Sequence, residues 1–126
     1  MSFCTSIHCM DGRVQEPLID YLKQAYGVDY VDAITEPGPC RILAEDRDRP
    51  RVRSIRERTT ISVDKHGSKL IAVSGHYDCA GNPRDEATQK QQVRQSMQLL
   101  AHAYRDVEVI GLWVDSNWRV HEVNPL

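Results

Sequence analysis

Five residues in two short stretches carry the chemistry open to this chain. Cys9, Asp11 and Arg13 lie in Cys9-Met10-Asp11-Gly12-Arg13, and His76 and Cys79 in Gly75-His76-Tyr77-Asp78-Cys79. Two thiolates and a neutral imidazole form the Cys2His set of some catalytic zinc sites, which keep a fourth position for water. A single His-x-x-Cys is weak evidence. It gains weight when a third ligand falls at the corresponding end of another strand. An aspartate beside such a metal can accept a hydrogen bond from its water and orient the hydroxide lone pair. An arginine next to that aspartate keeps it ionised and fixes its rotamer. Each residue also has a plainer reading. Cys9 suits a buried core thiol, His76 a loop hydrogen bond, Cys79 a position under the following helix, and Asp11 with Arg13 a surface ion pair of little worth. The coincidence of Cys9, His76 and Cys79 at strand ends favours them as metal ligands, and given those ligands Asp11 with Arg13, in the turn directly after Cys9, reads as the catalytic pair.

The elements that must bring these stretches together follow from local pattern. Phe3–Cys9 reads as a first strand, stopped by Asp11-Gly12. Pro17 is expected to open a helix, with Leu18, Leu22 and Ala25/Tyr26 at helical spacing and Gly27 just past its end. Residues 30–35 read as a second strand, ended by Glu36-Pro37-Gly38-Pro39. The arginine-rich stretch 41–58 interleaves Glu45, Asp46, Asp48 and Glu57. It therefore reads as a solvated loop and helix face rather than an anion-binding patch. Val52, Ile55, Thr59 and Val63 keep helical spacing, and Gly67 can cap that helix. Residues 69–75, apolar after the first, suit a strand buried on both faces. Asn82-Pro83 reads as the N-cap and first position of a helix with the stripe Val93, Met97, Leu100, Ala101 and Tyr104. Residues 107–114 form a fourth strand and residues 118–123 a short fifth.

This alternation implies an α/β fold, a parallel sheet with helices on its faces and an antiparallel last strand at an edge. Ligands in such sheets collect at the carboxyl ends of strands where crossovers diverge. If strands one and three are neighbours, Cys9 faces His76 and Cys79 across that crevice. His8 points to the opposite sheet face from Cys9. Cys4 and Cys40 lack such partners and read as structural. His66, His102 and His121 read as surface or helix-face residues.

Length and charge bound the function. The chain has 126 residues, 40% of them apolar, which suits a single domain over 1–126. Sixteen basic against eighteen acidic side chains argue against a nucleic-acid partner. No apolar run approaches the roughly 18 residues of a membrane span, so no membrane partner is expected. Residues 1–9 show no secretory signal. The cytoplasm, where thiols stay reduced, is the expected compartment.

The paired stretches resemble the Cys-x-Asp-x-Arg and His-x-x-Cys signature of the β-class carbonic anhydrases, and the strand and helix order is similar from Phe3 to about Val123. The resemblance implies a sheet order 2-1-3-4 with an antiparallel fifth strand. It also implies Zn2+ held by Cys9, His76 and Cys79, with Asp11 and Arg13 as a catalytic dyad. The implied activity is reversible hydration of carbon dioxide to bicarbonate by a zinc-bound hydroxide, in a homodimer or larger even oligomer. Three features depart from the family. Little precedes strand one. Glu36-Pro37-Gly38-Pro39-Cys40 replaces the usual Arg-Asn-Ala-Gly-Asn segment. Ala80-Gly81 stands where two glycines are common. Two alternatives stay open: hydrolysis of carbonyl sulfide or carbon disulfide at the same zinc, and a non-catalytic zinc or redox-sensing protein in which Asp11 closes the metal site.

Overall fold

The computed structural model describes residues 2–125. Its elements run β1 (Phe3–Cys9), α1 (Gly12–Tyr26), β2 (Tyr30–Glu36), α2 (Pro39–Glu45), α3 (Arg49–His66), β3 (Leu70–His76), α4 (Glu86–Ala103), β4 (Glu108–Val114) and β5 (Val120–Val123). One sheet has the order β2-β1-β3-β4-β5. Its first four strands are parallel and β5 is antiparallel to β4. This is the α/β fold expected from the alternation of elements and the strand order that the family resemblance implies. No described helix is long and apolar enough to cross a membrane.

The two faces of the sheet carry different helices. Val14, Leu18 and Leu22, spaced by four, bury one stripe of α1 against Cys4, Ala72, Ile110 and Leu112. On the other face Leu43, Val52, Ile55, Val93 and Leu100, from α2, α3 and α4, pack against Ile7, Ile71 and Val73. All seven residues of β3 are buried, because it lies between two strands and under both layers.

Several boundaries differ from expectation. The first helix begins at Gly12, not Pro17. Asp11 caps it by accepting the Arg13 N–H at 2.9 Å, and Pro17 lies inside, where its ring nitrogen cannot donate to the Arg13 carbonyl. Asn82-Pro83 does not open α4. Asp85 does so, accepting the Thr88 N–H, and Asn82 instead turns inward, fully buried, to Gln92 and the Cys40 sulfur. The helix α2 was not expected, because Pro39 reads as a stop. Here it occupies the first turn, after Gly38 at φ 66°, and Cys40, Ile42 and Leu43 bury the inner side. The last strand starts at Val120 rather than at residue 118, because Trp118 sits at φ 60°. The arginine-rich stretch is a solvated face: Arg41, Arg49, Arg51 and Arg58 pair with Glu45, Asp46, Asp48 and Glu36.

The loop after β2 and the loop carrying Cys79 meet backbone to backbone. A β-carbon at Gly81 would lie 2.6 Å from the carbonyl carbon of Pro37, and one at Gly38 would lie 2.8 Å from the Asn82 side chain. Only glycine permits this approach. Gly81→Ala should therefore lower stability by about 1–3 kcal/mol, as overpacking does. Gly12→Ala, where a β-carbon meets nothing within 4 Å, should leave it unchanged or raise it by about 0.5–1 kcal/mol. Urea unfolding midpoints compare the two, and equal midpoints would show that the loops part without cost.

Candidate metal centre

Cys9 ends β1 and His76 ends β3, and Cys79 follows three residues later in a tight turn. One donor atom from each lies within 4.8 Å of the others, and all three residues are buried. The two sulfurs are 3.8 Å apart and both cysteines are free thiols.

The protonation states follow from the neighbours. His76 Nδ1 lies 2.7 Å from the Tyr77 carbonyl oxygen, which can only accept, so Nδ1 carries a proton and Nε2 is the ring nitrogen open to a metal. That Nε2 is one of three buried side-chain nitrogen or oxygen atoms, among the described residues, with no hydrogen-bond partner. Burial opposes charging of the ring, but the contacts with Cys9 and the Tyr77 carbonyl outweigh it and raise the His76 pKa. The Cys9 pKa is lowered, chiefly by hydrogen bonding from the Cys79 thiol, against the effect of burial and with help from His76 and the Asp11 and Gly38 N–H groups. Cys79 is raised, because it stands beside the Cys9 charge and is itself buried. The pair thus holds one negative charge and one proton. A divalent cation in place of that proton lets both sulfurs ionise. A bare imidazole nitrogen aimed at two sulfurs fits a borderline-soft dication such as zinc.

Asp11 and Arg13 stand beside this cluster and bind each other. The Arg13 Nε donates to both Asp11 carboxylate oxygens at 3.1 and 3.2 Å, and a terminal nitrogen donates to Oδ2 at 2.7 Å. The Arg13 guanidinium, with its backbone N–H in support, holds the Asp11 pKa down to about 2. Arg13 also reaches the Asp78 carboxylate at 3.3 Å and the Asp78 carbonyl at 3.1 Å. Its guanidinium carbon lies 4.5 Å from the centre of the Trp118 ring.

Four supporting residues had no functional reading in the sequence. Gln15 donates to the Cys9 and Asp11 carbonyls at 2.9 and 2.8 Å and accepts from His8 Nε2 at 2.7 Å. His8 Nδ1 then accepts from Ser6 at 2.6 Å. A chain of donors thus fixes the backbone between Cys9 and Asp11. Gln89 does the same for the other stretch. It accepts the His76 N–H and donates to the carbonyls of His76, Asn82 and Arg84. Asp78 and Trp118 complete the surroundings of Arg13. The i,i+4 spacing of Asp11 and Gln15 is the one sequence signal for any of these contacts.

The remaining cysteines and histidines stay apart from the cluster. Cys4 is buried and pushed up to about 11 by that burial, and Cys40 to about 12. His8 is buried with both ring nitrogens bonded, and burial lowers its pKa. His66 and His121 pair with Asp32 and Asp115, and His102 is exposed.

The fold has counterparts among solved structures. The β-carbonic anhydrase CafA of Aspergillus fumigatus superposes with a TM-score of 0.66 at 14% identity, covering 98% of this chain and 76% of its own. One of two tetrameric β-carbonic anhydrases from Sordaria macrospora gives 0.63 at 17% identity, covering 96% and 80%. The carbonic anhydrase of Glaciozyma antarctica gives 0.60 at 14%, covering 95% and 81%. No curated protein matches the chain significantly. The family model described as "Putative carbonic anhydrase" matches residues 1–124, nearly the whole chain, and the chain belongs to that family.

Proposed function

We propose that residues 1–126 act as one zinc domain that hydrates carbon dioxide reversibly to bicarbonate, with zinc held by Cys9, His76 and Cys79. The observation that carries this reading is the buried, unpartnered Nε2 of His76 beside two buried cysteine sulfurs that lie 3.8 Å apart. Zinc bound there supplies a Lewis acid that lowers the pKa of a water molecule towards about 7.

The chain's own residues then set direction. Asp11 stays ionised throughout the working pH range because Arg13 holds its pKa so low. As an acceptor only, it takes a hydrogen bond from the attacking water and turns the oxygen lone pair towards the carbon of carbon dioxide. Arg13 fixes the carboxylate through three side-chain hydrogen bonds. That engagement supports the dyad role over one in which Asp11 closes the metal site. Oxygen adds to carbon, one proton is released to solvent, and bicarbonate leaves. Reduced cysteines suit the cytoplasm, which we take as the compartment.

Purified protein should contain about one zinc per chain, and Cys79→Ser should lose most of it. Zinc-free wild type, or a variant that keeps its metal, would remove the site. Asp11→Asn should keep zinc and fold but lose about 100-fold or more of the hydration rate, the usual size of a proton-handling contribution. Stopped-flow hydration at several pH values measures this, and undiminished turnover in the variant would reject the dyad. Faster turnover of carbonyl sulfide than of carbon dioxide would replace the substrate.

A homodimer or larger even oligomer belongs to the same reading. Among the described residues the outer edge of β2 has no strand partner, and Met10 and Tyr77, beside two of the proposed ligands, are 63% and 51% exposed. Light scattering should return at least twice the chain mass of 14.4 kDa. A stable monomer would refute this assembly.

A further inference from the structure

Three non-glycine residues among those described have positive φ: Asp46, Asp78 and Trp118. Two of them touch the Arg13 guanidinium. Aspartate enters this region readily, whereas a bulky aromatic residue there is an outlier that the surroundings must enforce. The β4–β5 turn enforces it. Asp115 Oδ1 accepts the Asn117 and Arg119 N–H groups, both at 2.9 Å, and the Asp115 carbonyl accepts the Trp118 N–H at 2.9 Å. The Asp115 N–H donates to the Arg119 carbonyl at 3.0 Å, and Oδ2 pairs with His121 at 2.6 Å.

The strained turn delivers the indole to one place. The Arg13 guanidinium carbon lies over the ring, 4.5 Å from its centre, and the ring lies 6.5 Å, centre to centre, from the His76 ring. Asp11 and Asp78 engage the guanidinium through its N–H groups, which hold it in its plane. Both contacts leave the Arg13 side chain half-exposed. The indole π face beside the cation favours its staying there.

We propose that Trp118 is a positioning residue for Arg13 and, through Arg13, for the Asp11 carboxylate. This rests on the dyad role given to Asp11 and Arg13 above. A group that orients a reactant in the transition state should affect kcat and leave KM in place.

The test uses the zinc-loaded full chain and two readouts: hydrogen exchange of the Arg13 Nε–H by nitrogen-edited NMR, and kcat and KM for carbon dioxide hydration. Trp118→Leu keeps an apolar side chain without a π face, and Trp118→Tyr keeps the π face. In Trp118→Leu the Nε–H should exchange about tenfold faster and kcat should fall about tenfold, equivalent to about 1.4 kcal/mol, with KM and zinc content unchanged. Trp118→Tyr should stay within about twofold of wild type on both. If Trp118→Leu does not fold, Trp118→Gly takes its place, since glycine accepts the positive φ. Wild-type exchange in the variant without a ring, or equal losses in the leucine and tyrosine variants, would overturn the proposal. Exchange is read whether or not carbon dioxide is turned over. A wild type with a protected Nε–H and no hydration would therefore overturn the activity and not the positioning.

Discussion

The centre depends on β1 and β3 lying side by side. Their parallel ladder runs from Thr5–Ile71 to Ile7–Val73 and stops two residues short of Cys9. Beyond it the chains separate, because β1 leads into α1 on one face of the sheet and β3 leads towards α4 on the other. Right-handed crossovers in opposite directions require this divergence. The gap that results holds the ends of both strands, and the two cysteines and the histidine meet there.

Burial gives that meeting its chemistry. Two cysteine sulfurs lie 3.8 Å apart under protein cover, and the nearby imidazole Nε2 is buried with no hydrogen-bond partner. The backbone that carries these groups is satisfied from outside the cluster, by the side-chain amides of Gln15 and Gln89. Removing either amide would leave buried carbonyl or N–H groups unpaired, at a cost of about 1–3 kcal/mol each. The donor atoms are therefore held by bonds that do not compete for their lone pairs.

Strain concentrates on the other side of the same gap. Asp78 and Trp118 sit in the left-handed region, at a cost of order 1–3 kcal/mol each, and both contact Arg13. The loop carrying Cys79 is further pinned where Gly81 approaches Pro37. The segment 36–40, which departs from the family pattern, thus still meets the metal-site loop. It does so through the close backbone approach of Pro37 and Gly38 to Gly81 and Asn82.

The sequence by itself determined the element types, the parallel sheet and the two stretches bearing Cys9, Asp11, Arg13, His76 and Cys79. Hydrophobic period and turn residues are local properties, and the signature lies within five-residue windows. It placed α1 too late and α4 too early, because Pro17 and Asn82-Pro83 carry helix-start signals that Asp11 and Asp85 override through actual cap bonds. It also passed over α2, whose first-turn proline looks like a terminator. Only the tertiary structure decided that Gln15, Gln89, Asp78 and Trp118 serve the centre. Gln89 lies 13 residues from His76, and Asp78 lies 65 from Arg13. No local pattern encodes contacts across that separation. Trp118 reads as an ordinary strand residue until the hairpin geometry forces its positive φ and turns the indole onto Arg13.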